Sequence, residues 1–190
     1  MRMMGIDIIV PAALPVVTVQ EFIDHARLNA LTVDRQPELI ERELAAATER
    51  AQAYCRRSLL TQQLRALFVS DGASCACASM MLLPRGPVQS VQAVTNNGLQ
   101  LPLEAWSYEG AGVVYAAGLT GNTAVKYTAG YGDDPTDVPS MIREGILEYA
   151  TTVYEARSGG REQKYQASAG RTLPAGVVDL WRPYQVELSG

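Results

Sequence analysis

Asp133, Asp134 and Asp137, in "GYGDDPTDVPS", put three carboxylates within one short stretch, and carboxylate oxygens are what a calcium ion takes as ligands. Their spacing does not follow an EF-hand loop, and Pro135 interrupts it. Turn initiation and helix capping account for the same residue types, because short acidic side chains accept hydrogen bonds from nearby backbone N–H groups. His25 is the only histidine, so it cannot assemble a metal site by itself, and no nucleophile motif accompanies it. Cys75 and Cys77 stand one residue apart in "SCACAS" without the two further ligands a zinc ion needs. With Cys55 they make an odd number outside any disulfide framework. Glu144 and Glu148 share a helical face, as an acid and base pair could, and as any solvated helix face does. No glycine pattern of the phosphate-binding kinds is present. The expectation is a protein with no cofactor, no metal and no enzymatic activity.

The elements that carry these residues are legible from periodicity. Thr18 and Glu21 have the spacing of a capping box, and Val19, Phe22, Ile23 and Ala26 follow on one helical face. In "PELIERELAAATERAQAYCRRSL", Pro37 suits a first helical position, and Ile40, Leu44, Ala47, Ala51 and Tyr54 recur at helical spacing. Acidic residues lie early in that helix and Arg56 and Arg57 late, as the helix dipole favours; the two arginines could also meet a phosphate. A third helix is predicted in "VPSMIREGILEYATTVYEAR". Pro139 opens it, Asp137 lies just outside, and Ile142, Ile146, Tyr149, Ala150 and Val153 form its inward stripe; Gly159 and Gly160 close it.

Between the helices the period becomes two. Leu64, Ala66 and Phe68 alternate cleanly, while "VQSVQAVT" alternates less cleanly through Val88, Ser90 or Val91, and Ala93. "NNG" at 96–98 signals a hairpin, since asparagine and glycine accept positive φ. "TAVKYTAGY" closes the series, with Tyr127 and Tyr131 expected on one side of the strand. After it, "LPAGVVDLWRPYQVELSG" is too apolar for a simple tail. Leu173, Val177, Val178, Leu180, Trp181 and Tyr184 could dock on the chain itself or on a neighbour.

The fold class expected is α+β. An antiparallel helical core, made of two N-terminal helices and one long C-terminal helix, would carry an inserted small antiparallel β lobe. The divisions are an extended arm at 1–17, the first part of the helical core at 18–60, the β lobe at 61–131, the long helix at 132–158, and a linker with a docking segment at 159–190.

A chain of 190 residues suits one domain, or a core with an inserted lobe. It is 47% hydrophobic and 19% charged, a composition that folds. Its net charge of −4 provides no basic field for nucleic acid, which argues against a sequence-specific DNA reader. The apolar opening "IDIIVPAALPVV" is broken by Pro11 and Pro15, is too short to cross a bilayer and has little of a secretory signal, so a protein kept inside the cell and away from membranes is expected.

The order of these elements resembles a known family. A capped helix, a long helix ending in "CRRSLLTQQ", a strand leading to "LLPRGPVQSVQAV", the "NNG" hairpin and "VKYTAGYGDDPTDVPSMIREGILEYATTVYEAR" together are similar to the phage head-tail connectors. These are the head-completion or adaptor proteins of long-tailed phages, prophages and gene-transfer agents. The resemblance runs from about Val19 to Arg157, with a weaker echo in "VVDLWRPYQV".

The resemblance implies a structural protein of the virion neck, assembled in the host cytoplasm. It would form a ring beneath the portal protein, often of twelve copies. The ring would extend the channel through which packaged DNA passes without sequence-specific binding, and would present a face to the next neck or tail-completion protein. Portal docking would fall on Leu173 to Leu188, with Trp181 and Tyr184 as anchors on a segment separable from the folded core. Asp133, Asp134, Asp137 and Pro139 would then fix the start of the long helix, so that each copy presents its faces at one angle. From the residues alone a second reading stays open, a small regulatory or nucleic-acid-binding module using Arg56, Arg57, Arg157 and Arg161. An enzyme stays third, without a motif to support it.

Overall fold

The computed structural model describes residues 1–28, 37–70, 78–110, 112–158 and 173–186. The chain divides into two compact units, one of Met1–Ala13 with Arg56–Asp133 and the other of Leu14–Cys55 with Asp134–Gly190.

The first unit is built of strands. A five-stranded antiparallel sheet runs in the order β1 (Arg2–Val10), β2 (Gln62–Ser70), β8 (Gly121–Ala129), β4 (Val88–Asn96), β5 (Leu99–Gln100). A three-stranded antiparallel sheet runs β3 (Ala78–Leu82), β7 (Val113–Ala117), β6 (Trp106–Tyr108). Leu64, Ala66 and Phe68 of β2 are all buried, as their alternation predicts. With Val94, Val125 and Tyr127 from the same sheet and Met81 and Val114 from the smaller one, they form a hydrophobic core of the unit's own. Burying each larger side chain contributes about 1.5–3 kcal/mol.

This corrects the expected fold class. The protein is not a helical core with a small β lobe, because two sheets of five and three strands make a unit with its own core. Arg2–Val10, expected within an extended arm, is the edge strand β1. Its sequence, RMMGIDIIV, lacks the alternation that marks a half-buried strand; most of its side chains are exposed, and Ile6 packs against the core. The blurred alternation of β4 also has a cause. Its register against β8 shifts between Val88 and Ser90 and again between Val91 and Ala93, the extra residues being Gln89 and Gln92. Both glutamines bond locally, the Gln89 Nε2 to Thr61 Oγ1 at 2.9 Å and the Gln92 Nε2 to Thr128 Oγ1 at 2.6 Å. The "NNG" turn forms as predicted, with positive φ at Asn97 and Gly98.

The second unit is helical, with α1 (Val19–Ala26), α2 (Pro37–Cys55), α3 (Ser140–Ser158) and α4 (Ala175–Trp181). The predicted capping box starts α1. The Thr18 Oγ1 accepts from the Glu21 N–H at 3.2 Å, while the Glu21 Oε2 accepts from the Thr18 N–H at 2.7 Å. Ile40, Leu44, Ala47 and Ala51 of α2 are buried as the spacing predicts, but the last turn inserts Cys55 and leaves Tyr54 half-buried. On α3, Ile142, Ile146 and Ala150 are buried, and Tyr154 takes the place expected for Val153, meeting Phe22 of α1 edge to face at 5.8 Å.

Candidate functional site

The acidic turn is built from reciprocal hydrogen bonds. Asp134 caps a short 3₁₀ helix, Pro135–Asp137: its Oδ1 accepts from the Thr136 N–H at 2.8 Å and the Thr136 hydroxyl at 2.6 Å. The Asp137 Oδ2 in turn accepts from the Asp134 N–H at 3.1 Å. The Thr136 hydroxyl and N–H, with the Arg143 charge, outweigh a small desolvation and hold the Asp134 carboxyl below its ordinary value. Pro139 immediately precedes α3 rather than opening it, and its carbonyl accepts from Ile142 at 2.9 Å. Asp133 is exposed. Among the described residues no group of three or more His, Cys, Asp or Glu side chains is arranged to hold a metal ion.

The C-terminal residues singled out for docking split into two sets. Val177 and Trp181 are fully buried inside the helical unit. The Trp181 indole lies between Tyr54 and Tyr149, with ring centroids 5.9 and 6.3 Å away, and its Nε1–H donates to the Ile142 carbonyl at 3.2 Å. Val186 then donates its N–H to the Cys55 carbonyl at 3.2 Å, tying the segment after α4 to the end of α2. Leu173, Val178, Leu180 and Tyr184 are half-buried, and Leu188 lies outside the described residues. The segment is therefore part of the helical core and not an addition to it.

Arg56 and Arg57 follow α2. Arg56 turns the chain with a φ of 54° and is exposed. Arg57 sits in a bridge beside Arg85, and its guanidinium lies 5.9 Å from the Tyr131 ring centroid, in cation–π range. The strand alternation expected to reach Tyr131 breaks first. β8 ends at Ala129, and Gly130, at a φ of 145°, passes so close to the Leu60 backbone that a Cβ would overlap it. Tyr127 instead points into the sheet core and donates its hydroxyl to the Pro84 carbonyl at 2.6 Å; burial pushes its phenol above the usual range, against a smaller opposing effect from Arg85.

The remaining residues with chemical potential are scattered. His25 Nδ1 lies 3.7 Å from Glu144 Oε1, whereas the Glu148 carboxylate lies against Gly176, so the two glutamates serve different neighbours. Cys55 is buried, and Cys75 and Cys77 fall outside the described residues, as does Arg161. No helix among the described residues is long and apolar enough to cross a membrane.

Exposed apolar side chains, to which the sequence assigned no role, stand out on the strand unit, among them Met80 and Leu82 of β3. β1 exposes Met3, Met4, Ile8, Ile9 and Val10, with Met1 beside them, at 43 to 64%. At the opposite edge of the same sheet Leu99 is 75% exposed, and Leu103, in the short 3₁₀ helix Leu103–Ala105 that follows, is 74% exposed.

No protein-family model and no curated protein sequence matches the chain. Solved structures do. A chain of the virion of a native gene transfer agent particle superimposes with a TM-score of 0.72 at 18% identity, over 98% of this chain and 99% of that one. The chain has the fold of a gene transfer agent virion protein. Chains from the neck of the empty particle, computed with C6 symmetry, and of the native particle, computed with C12 symmetry, match at TM-scores of 0.70 and 0.69. Their identities are 21% and 20%, each over 98% of this chain and 99% of the other. The fold-level likeness to gene transfer agent necks agrees with the resemblance drawn from the order of the elements.

Proposed function

We propose that this chain is a structural component of a virion neck, a head-tail connector of the adaptor or head-completion kind that forms a ring beneath the portal. One observation carries the reading. The whole chain, strand unit and helical unit together, has the fold of chains found in gene transfer agent necks, with almost no residue of either left over. The twelvefold symmetry used for one of those necks supports a ring of twelve copies here. In such a ring the DNA passes without being read, in keeping with the chain's net charge of −4. Exposed Arg56 is the proposed contact to its phosphates.

The C-terminal helix is the proposed portal contact. Since Val177 and Trp181 fill the helical core, the contact falls to the half-buried Leu173, Val178, Leu180 and Tyr184. The Asp134–Asp137 turn would give each copy the same start to α3, as a closed ring of identical subunits requires. The opposite face would receive the next neck or tail-completion protein. Electron cryomicroscopy of the protein bound to the portal encoded with it, and of the particle, tests the reading. A ring below the portal is expected; a protein absent from the particle and indifferent to the portal would overturn it.

A further inference from the structure

We propose that copies of this chain join head to tail through the strand unit, with the apolar edge strand β1 of one copy covering the Leu99–Leu103 edge of the next. The inference deepens the ring reading above and rests on it for the closed geometry. β1 is nine residues long, and among the described residues no strand pairs with its outer edge. Natural sheet edges are usually protected by lysines, prolines or inward charges. Here Arg2 and Asp7 are the only charged residues in β1, and Asp7 is already neutralised by its neighbour β2, whose Arg65 Nη2 lies 2.7 Å from its Oδ2. What surrounds the open edge is methionine, isoleucine and valine.

The exposed area is part of what an interface needs. Six apolar side chains at this exposure present on the order of 500 Å2 in all, shared between the two faces of the strand, against the ~800 Å2 that each side of a stable interface buries. A strand whose charges are one arginine at its start and an aspartate already paired with Arg65 suits neither DNA phosphate nor a solvated surface. The occupant follows from symmetry. In a ring each copy meets two like neighbours through two different patches, and both patches must exist on every subunit. Among the described residues the strand unit offers such surfaces at the two edges of its five-stranded sheet: the β1 edge, and the edge where β5 covers only Thr95 and Asn96 of β4 and leaves Leu99 in solvent, with exposed Leu103 in the short helix that follows; Met80 and Leu82 of β3 are a further exposed pair outside that sheet.

The test compares the full chain with two double variants, Met4→Lys/Ile9→Lys and Leu99→Lys/Leu103→Lys, by sedimentation across the accessible concentration range. All four positions are exposed, so unchanged melting temperatures are expected. The wild type should associate, and each variant alone should associate at least ~10-fold more weakly, as loss of a central apolar contact does. An equal mixture of the two variants should recover a heterodimer, because each retains one intact edge. A wild type that stays monomeric throughout, or a mixture that does not associate, would overturn the proposal. So would a β1 variant that behaves as wild type, or one that fails while the leucine variant still pairs, which would mean β1-to-β1 contact. A neck-resident protein whose β1 is bare in the particle would lose this inference and keep the neck reading. Head-to-tail association by a protein absent from any neck would do the reverse.

Discussion

The indole of Trp181 occupies the space that a Cβ on residue 145 would need, so Gly145 and Trp181 are a matched pair holding α4 against α3. The same indole donates to the carbonyl of Ile142, three residues before that glycine, so apolar burial and a satisfied N–H coincide. A tryptophan that looked from its sequence context like an anchor for a partner is thereby an anchor for its own unit.

Gly145→Ala should therefore destabilise the helical unit by about 1–3 kcal/mol, as overpacking does, although alanine is ordinarily the better helix former. Denaturant unfolding followed by Trp181 fluorescence, in a Trp106→Phe background, would check it. An unchanged midpoint would show that α4 does not pack as described.

Truncation before Leu173 should unfold or loosen the helical unit, contrary to the expectation of a separable segment, since it removes Val177 and Trp181 from the core. Trp181→Ala alone should cost about 3–5 kcal/mol. Portal binding is better probed with Leu180→Asp and Tyr184→Ala, which spare both buried residues, by pull-down with the portal.

Leu44→Ala and Ile146→Ala each remove a buried side chain from α2 and α3 and should cost roughly 2–5 kcal/mol. Urea unfolding measures the loss, and a value near zero would refute the assigned helical faces.

Glu21 links pH to stability. Burial pushes its carboxyl up, but hydrogen bonds from the Thr18 backbone and hydroxyl, with the charge and hydrogen bond of Arg143, outweigh this and bring it below its ordinary 4.5. The unfolded chain then binds a proton more readily than the folded one. The stabilisation is full above about pH 4.5 and is lost as pH falls through the folded value. Glu21→Gln should flatten part of that acid limb and cost less than about 1 kcal/mol at neutral pH, because the pair is partly exposed. Thermal melts of both proteins across the acid range would check the sign.

Gly130→Ala should destabilise the strand unit by about 1–3 kcal/mol, because the left-handed backbone and the nearby Leu60 main chain both exclude a Cβ. Gly5→Ala, where nothing lies within 4 Å of the added carbon, is the control and should change melting little.

The sequence alone determined what local rules control. The Thr18–Glu21 box, the α2 stripe from Ile40 to Ala51, the alternation of Leu64, Ala66 and Phe68 and the Asn97–Gly98 turn all depend on neighbours a few residues away, and each formed as read. The order of those elements was enough to suggest a connector. What needed the tertiary structure was every property that depends on a partner distant in sequence. β1 lacks alternation and is an edge strand with most of its side chains exposed. β4 hides its period behind two bulges defined only against β8. Trp181 could not be assigned to its own core or to a partner's until Gly145 and Tyr149 were seen beside it. A side chain's apolar character is written in the sequence, but whether it is buried or left open for a neighbour is decided by what the fold brings against it.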